Sequence, residues 1–268
     1  MSNTTTFKSK IQRLDLSHLQ VYGLVLPIGF IVLWALASKF NWVNPKLIPA
    51  PIEVVQIAIQ QVQQQEFWVG LGASLFRDVT GFVIGSGLAI IFGIVVGVSR
   101  WANYLFLPSF NVLRQISLFA WLPLITTFLN YGNTAKILFI VLSVFYPVAL
   151  HTIDGVRRIP LNQFEVAQVY KFNAWQTLSK LILPAAAPQI FLGLQLGLIF
   201  AWVATIGAEF LLGNYGVGLG NLVIRGRAAL DVGLIIFGLI IIGFIGVAWN
   251  AFANVAERRI LVWHREER

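Results

Sequence analysis

The chain contains no cysteine, which excludes disulfides and thiolate metal sites. Charge is scarce: Asp, Glu, Lys and Arg make up 11% of the 268 residues, against 57% hydrophobic. Acidic residues are the scarcer sign, leaving a formal net charge of +8. The three histidines, His18, His151 and His264, are far apart. No HExxH pair, nucleophile elbow or phosphate-cradling glycine loop occurs. Nothing therefore supports an enzyme, a metal site or a bound cofactor, and a nucleotide-hydrolysing step would belong to another chain. Low-complexity segments and internal repeats are also missing, which argues against a carrier built from inverted halves.

What is present is apolar sequence in blocks. Crossing a hydrocarbon core takes about 20 apolar residues as helix. Residues 79–98, 190–208 and 232–253 meet that without one charge, and 21–38 comes close. Residues 105–129 carry Arg114, and 137–150 are long enough only if the run continues through His151 to Ile153. The expectation is an all-α integral membrane protein, 1–268, with six transmembrane helices. The leader 1–20 is basic and polar, and no small-residue cleavage site follows the first run, so that run is expected to be a retained helix.

Lys and Arg set the orientation, because basic short loops stay in the cytoplasm. With the N-terminus inside, that side collects Lys8, Lys10, Arg13, Arg100, Arg157, Arg158, Lys171, Lys180, Arg258 and Arg259. Both termini, the loop 154–188 and the tail 255–268 are then cytoplasmic, and the segment 41–67 is periplasmic. The positive charge thus reports orientation in a lipid bilayer and not a nucleic-acid partner. In the periplasmic segment, Ile52, Val55, Ile59 and Val62 recur at helical spacing opposite a glutamine-rich face, predicting an amphipathic helix from 52 to 66 on the membrane surface or the neighbouring spans. Gly81 and Gly85, Gly93 and Gly97, and Gly193 and Gly197 stand four apart, a spacing that lets helices approach closely in lipid. Trp42, Trp68, Trp101 and Trp263 suit interfacial belts.

Between two apolar runs lies the polar island EVAQVYKFNAWQTLSKLILP, residues 165–184. Leu161, Phe164, Ala167 and Tyr170 fall on one helical face, with Pro160 suited to the first turn. Asn173 reads as an N-cap with Gln176 three residues on, a capping box. Pro184 is expected to stop that second helix. The pattern Glu165-Val166-Ala167, a turn position, then Leu181-Ile182-Leu183-Pro184 resembles the signature of permease subunits of ATP-binding cassette importers, which reads Glu-Ala-Ala, three residues, Gly, nine residues, Ile, any residue, Leu, Pro.

Much of the remaining chain is similar to the sulfonate, nitrate and taurine branch, closest to aliphatic sulfonate permeases. The resemblance implies a type I importer permease fold in the bacterial inner membrane. It also implies a second permease copy, two ATPase subunits that hold ATP and Mg, and a periplasmic substrate-binding protein. Phe164, Glu165, Val166, Ala167, Tyr170, Lys171 and Pro184 are then the ATPase-coupling residues.

Two positions depart from the pattern. Lys171 stands where the signature has Gly; either the left-handed turn has moved to Asn173, which tolerates it better, or Lys171 adds a charge contact. Ser117 stands where the branch has the Pro of Leu-Arg-x-x-Pro, which is expected to remove a helix kink.

Arg114 lies about nine residues into its span, roughly 14 Å deep. An unpaired Arg there costs at least about 2.5 kcal/mol, so it faces either an anion pathway with Ser117 and Glu209 or a carboxylate, Asp78 or Glu209. Arg77 and Asp78 read as an outer packing pair that snorkels, the alternative being a substrate contact. Gly213, Tyr215, Gly218 and Arg225 form either an outer gate or binding-protein contact, or a plain turn with solvated charges. A proton- or ion-coupled carrier or channel with no ATPase is the rival class.

Overall fold

The structure, a computed structural model, describes residues 16–40, 42, 44, 47–212 and 216–260, with side chains from residue 25. The leader up to residue 15, Gly213, Tyr215, Trp263 and the tail from 261 lie outside the described residues. Among the described residues every element is helical: α1 (Leu16–Lys39), α2 (Pro51–Gln63), α3 (Gln65–Val98), α4 (Arg100–Leu113), α5 (Leu122–Leu129), α6 (Asn133–Arg157), α7 (Leu161–Val169), α8 (Ala174–Thr177), α9 (Leu183–Leu211), α10 (Leu219–Ala228) and α11 (Val232–Ile260). Among the described residues, four helices are long and apolar enough to cross a membrane: α3, α6, the continuous run Ala174–Leu211, and α11. A bent pair, α4 with 118–129, adds a fifth.

α6 sits at the centre, flanked by α3 and α9. The predicted glycines make this packing possible. A methyl on Gly93 would stand 2.5 Å from Thr152 Cβ, and one on Gly97 2.8 Å from Val156 Cβ. On the other flank, Gly193 and Gly197 meet His151 and Val148 of α6 in the same way. Without a hydrophobic drive between helices in lipid, such backbone proximity supplies dispersion contact. Ala89, Phe139, Ile140, Val144, Val148 and Ala201 fill the seam.

The third expected span differs from the expectation at its centre. α4 tightens at its end, where Gln115 and Ile116 bond back only three residues. Ser117 is extended (φ −55°, ψ 133°), and the chain resumes at 96° to α4. The kink expected to vanish with the missing proline is present, because the extended Ser117 turns the backbone and Pro123 pre-sets the start of α5.

In the segment after α1, the amphipathic helix expected from 52 to 66 ends at Gln63, and an extended Gln64 separates it from α3. The stripe Ile52, Val55, Ile59 and Val62 points away from the protein; Val54, Ile57 and Ala58 face α11 and its neighbours. An apolar stripe left uncovered fits a helix lying in the membrane interface.

Candidate functional site

α7, a turn and α8 form the predicted pair of short helices. Phe164 turns inward, packing against a small core of Val156, Ile159, Ile182 and Ala186, and Ala167 is buried. Leu161 is 80% exposed and Tyr170 72%, so the four residues expected on one face divide between the core and the surface. Glu165, Val166, Lys171 and Pro184 are exposed.

The turn is a Schellman motif at the end of α7. The Phe172 N–H donates to the Ala167 carbonyl at 3.0 Å and the Lys171 N–H to that of Gln168 at 2.9 Å, the paired bonds that satisfy a helix C-terminus. Its left-handed position is Lys171 itself, at φ 52°. The turn has not moved to Asn173, which is extended (φ −74°, ψ 170°) and caps α8. Both capping-box bonds are made: Gln176 N–H to Asn173 Oδ1 at 2.7 Å, and Asn173 N–H to Gln176 Oε1 at 3.0 Å.

Pro184 does not stop the helix that follows. Residues 178–182 widen into a π turn in which the Leu183 N–H reaches back five residues to the Leu178 carbonyl. Proline at 184 lacks an N–H and crowds the carbonyl four residues earlier. The wider turn accommodates both defects, so α8 runs unbroken into α9.

A second constellation lies at the opposite end of α9, and sequence reasoning missed it. Arg77 of α3 is 3% exposed and Glu209 of α9 fully buried. Arg77 Nη2 donates to Glu209 Oε1 at 2.5 Å and to the Val217 carbonyl at 2.7 Å, and Nη1 to Asn133 Oδ1 at 3.0 Å. The Ser74 hydroxyl adds a 2.6 Å bond to Glu209, and the Gly220 N–H one of 2.7 Å. Ser74 Oγ in turn accepts the Leu219 N–H at 2.9 Å. Asp78 does not pair with Arg77; it accepts the Thr205 hydroxyl at 3.0 Å. One ion pair thus ties α3, α6, α9 and the start of α10 together.

The expected snorkelling is overturned because α3 begins at Gln65, well before residue 79, which sets Arg77 inside the bundle. The nearby glycines are required here: a Cβ on Gly218 would stand 2.5 Å from the Glu209 carboxylate. The available signal was the charge tally. Arg77, Asp78, Lys136 and Glu209 are the buried charged side chains among the described residues, and they sum to zero.

A family of binding-protein-dependent transport system inner membrane components matches residues 85–262. The chain belongs to that family. It is the permease subunit of an ATP-binding cassette importer. This permease is 32% identical over 241 residues to the putative aliphatic sulfonates transport permease protein SsuC of Bacillus subtilis, covering 90% of this chain and 87% of that one. Against the bicarbonate transport system permease protein CmpB of Synechococcus elongatus, identity is 30% over 255 residues, covering 89% and 90%. The nitrate import permease protein NrtB of Synechocystis sp. is 28% identical over 240 residues, covering 86% of each chain.

In the permease, Arg114 and Ser117 are exposed at the break between α4 and α5. Arg114 forms no ion pair among the described residues, and the expected partners Asp78 and Glu209 bond elsewhere. The break places Arg114 at the end of α4 and not in the interior of a straight span. Glu209 is brought together with Gly218, and both its oxygens are engaged. Arg225 pairs with Glu66 at 2.9 Å on the surface. With Gly218, these two residues line a cleft of about 420 Å³ between α3 and α10.

Proposed function

We propose that two copies of this chain form the membrane pathway of an importer for a small oxyanion, most closely an aliphatic sulfonate. Nitrate, bicarbonate and taurine are carried by the same machinery in the alternative reading. Two ATPase subunits holding ATP and Mg lie beneath the pair, and a periplasmic binding protein delivers the substrate. α1 and the bent α4–α5 pair complete six spans, and both termini face the cytoplasm.

The observation that carries the reading is the shape of 161–184. Phe164 anchors α7 to the base of α9 and Ala167 is buried, while Leu161, Val169, Tyr170 and Trp175 remain exposed beyond it. Exposed large apolar residues on a basic loop outside the bilayer suit a protein partner better than water. Glu165, Val166, Lys171 and Pro184 lie on the same protrusion, which acts as the ATPase-coupling element. At the other mouth, Gly218 and Arg225 face the binding protein, with Gly213 and Tyr215 in the adjoining loop. Arg114 and Ser117 contribute to the anion pathway at the broken span, where guanidinium chemistry suits oxygen-rich anions.

The test is copurification followed by reconstitution. The chain, expressed with its neighbouring ATPase and binding-protein genes, is expected to yield a stoichiometric complex and ATP-dependent oxyanion uptake. Reversing the charge at Glu165 and replacing Ala167 by Trp should remove the ATPase. Arg114→Gln should slow uptake and leave assembly intact. Uptake driven by an ion gradient, with no ATPase bound, would replace the importer reading with a secondary carrier.

A further inference from the structure

α3, α9 and α11 leave a crevice of about 420 Å³ between them in the membrane-spanning part of the fold. Its walls are hydrocarbon: Phe82 and Val83 of α3, Phe191 and Leu194 of α9, and Phe252 and Ala256 of α11. Along α11 it extends from Trp249 to Ile260, about 16 Å at 1.5 Å per residue. Half of a hydrocarbon core about 30 Å thick is about 15 Å, so the crevice is as long as one leaflet is deep. At its Ile260 end stand Arg258 and Arg259, both exposed in the last turn of α11 and in no ion pair among the described residues. Glu257, the acid beside them, is held by Gln195 of α9, whose Nε2 donates to its Oε2 at 2.7 Å.

We propose that this crevice holds one acyl chain of an anionic phospholipid from the surrounding bilayer, with Arg258 and Arg259 meeting its phosphate. Water is a poor filling, because an apolar cavity offers it no hydrogen-bond partners and stays dry. The one amide on the wall, Gln195, is already bonded to Glu257. Left empty, the lining would forfeit the dispersion contacts that hold apolar surfaces together in lipid. Guanidinium groups bind phosphate oxygens through charge-assisted, bidentate hydrogen bonds, and basic side chains at the membrane surface favour anionic lipid. The chain's own leader is a poor occupant: Lys8, Lys10 and Arg13 would add positive charge where two arginines already stand. A lipid chain seated there completes the packing of α11 against α3 and α9, whichever substrate the importer carries.

The experiment is native mass spectrometry of the permease, purified with the subunits that accompany it, stripped of endogenous lipid and titrated with dioleoylphosphatidylglycerol. Dioleoylphosphatidylcholine is the control. Wild type is expected to bind one phosphatidylglycerol tightly per permease copy, and phosphatidylcholine more weakly. The double variant Arg258→Ala, Arg259→Ala should raise the apparent Kd for phosphatidylglycerol about tenfold, the order expected for two basic side chains at a lipid surface. Ala256→Phe fills the crevice and should abolish the tight binding. Should it fail to assemble, Ala253→Leu, on the same wall, takes its place. Equal affinity for the two lipids, or an unchanged Kd in the double arginine variant, overturns the proposal. Phosphatidylglycerol held as tightly in the crevice-filling variant as in wild type puts the lipid elsewhere and overturns it too. Loss of the second permease copy in that variant, with the lipid count unchanged, assigns the crevice to a subunit interface and overturns the lipid site.

Discussion

Removing one partner of the Arg77–Glu209 pair should destabilise the permease at least as much as removing both. Glu209→Met leaves the Arg77 guanidinium buried without its counter-ion and takes the acceptor from Ser74 and from the Gly220 N–H. Breaking a buried pair from one side costs about 3–5 kcal/mol, and each orphaned donor about 1–3 kcal/mol where it cannot find another acceptor. Arg77→Met leaves Glu209 charged but still holding Ser74 and Gly220, while Asn133 and the Val217 carbonyl lose a donor. The Glu209 variant should therefore be the worse of the two, near the upper figure. The double variant exchanges the pair for two flexible apolar chains of similar length and should be no worse than Arg77→Met alone. Reversible unfolding in mixed micelles, followed by tryptophan fluorescence, measures the cycle. Single variants costing under about 1 kcal/mol, or a double variant equal to the sum of the singles, would refute the pairing as the fastening of this corner.

Lys171→Gly should keep the Schellman turn and stabilise it by about 1 kcal/mol, because the left-handed position no longer carries a Cβ; Lys171→Val should lose ATPase copurification. Asn173→Ala removes the capping box and should weaken the start of α8 by about 1 kcal/mol, seen as faster amide exchange at Gln176. Gly93→Val should separate α3 from α6, since even a methyl meets Thr152 at 2.5 Å; loss of folded yield is the expected readout, while Gly87→Ala, which meets nothing within 4 Å, serves as the neutral control.

The parts of this fold legible in the sequence are those governed by neighbours in the chain. Apolar length marked α3, α6, α9 and α11. Four-residue glycine spacing marked the α3 and α9 faces that α6 covers, and Asn173 with Gln176 marked a capping box that forms as read. The turn at Lys171 was misplaced despite a warning in the same segment: an N-cap requires extended backbone, so Asn173 cannot also take the left-handed position. The outer ion pair was missed for a different reason. Arg77 and Glu209 are separated by 132 positions, and no local periodicity joins them. Arg114, expected about nine residues into a continuous span, instead ends α4 just before the break at Ser117, a change of direction that no local pattern announces once the proline is absent.

The π turn at 178–182 has a mechanical consequence. It lets 38 residues, Ala174–Leu211, run as one helix, about 57 Å at 1.5 Å per residue. Trp175, on the protrusion formed by α7 and α8, and Glu209, which holds α3 and α10, are therefore two ends of a single rod. A rod has no slack. A displacement of a few ångströms at α8 reaches the Arg77–Glu209 corner without a loop to absorb it.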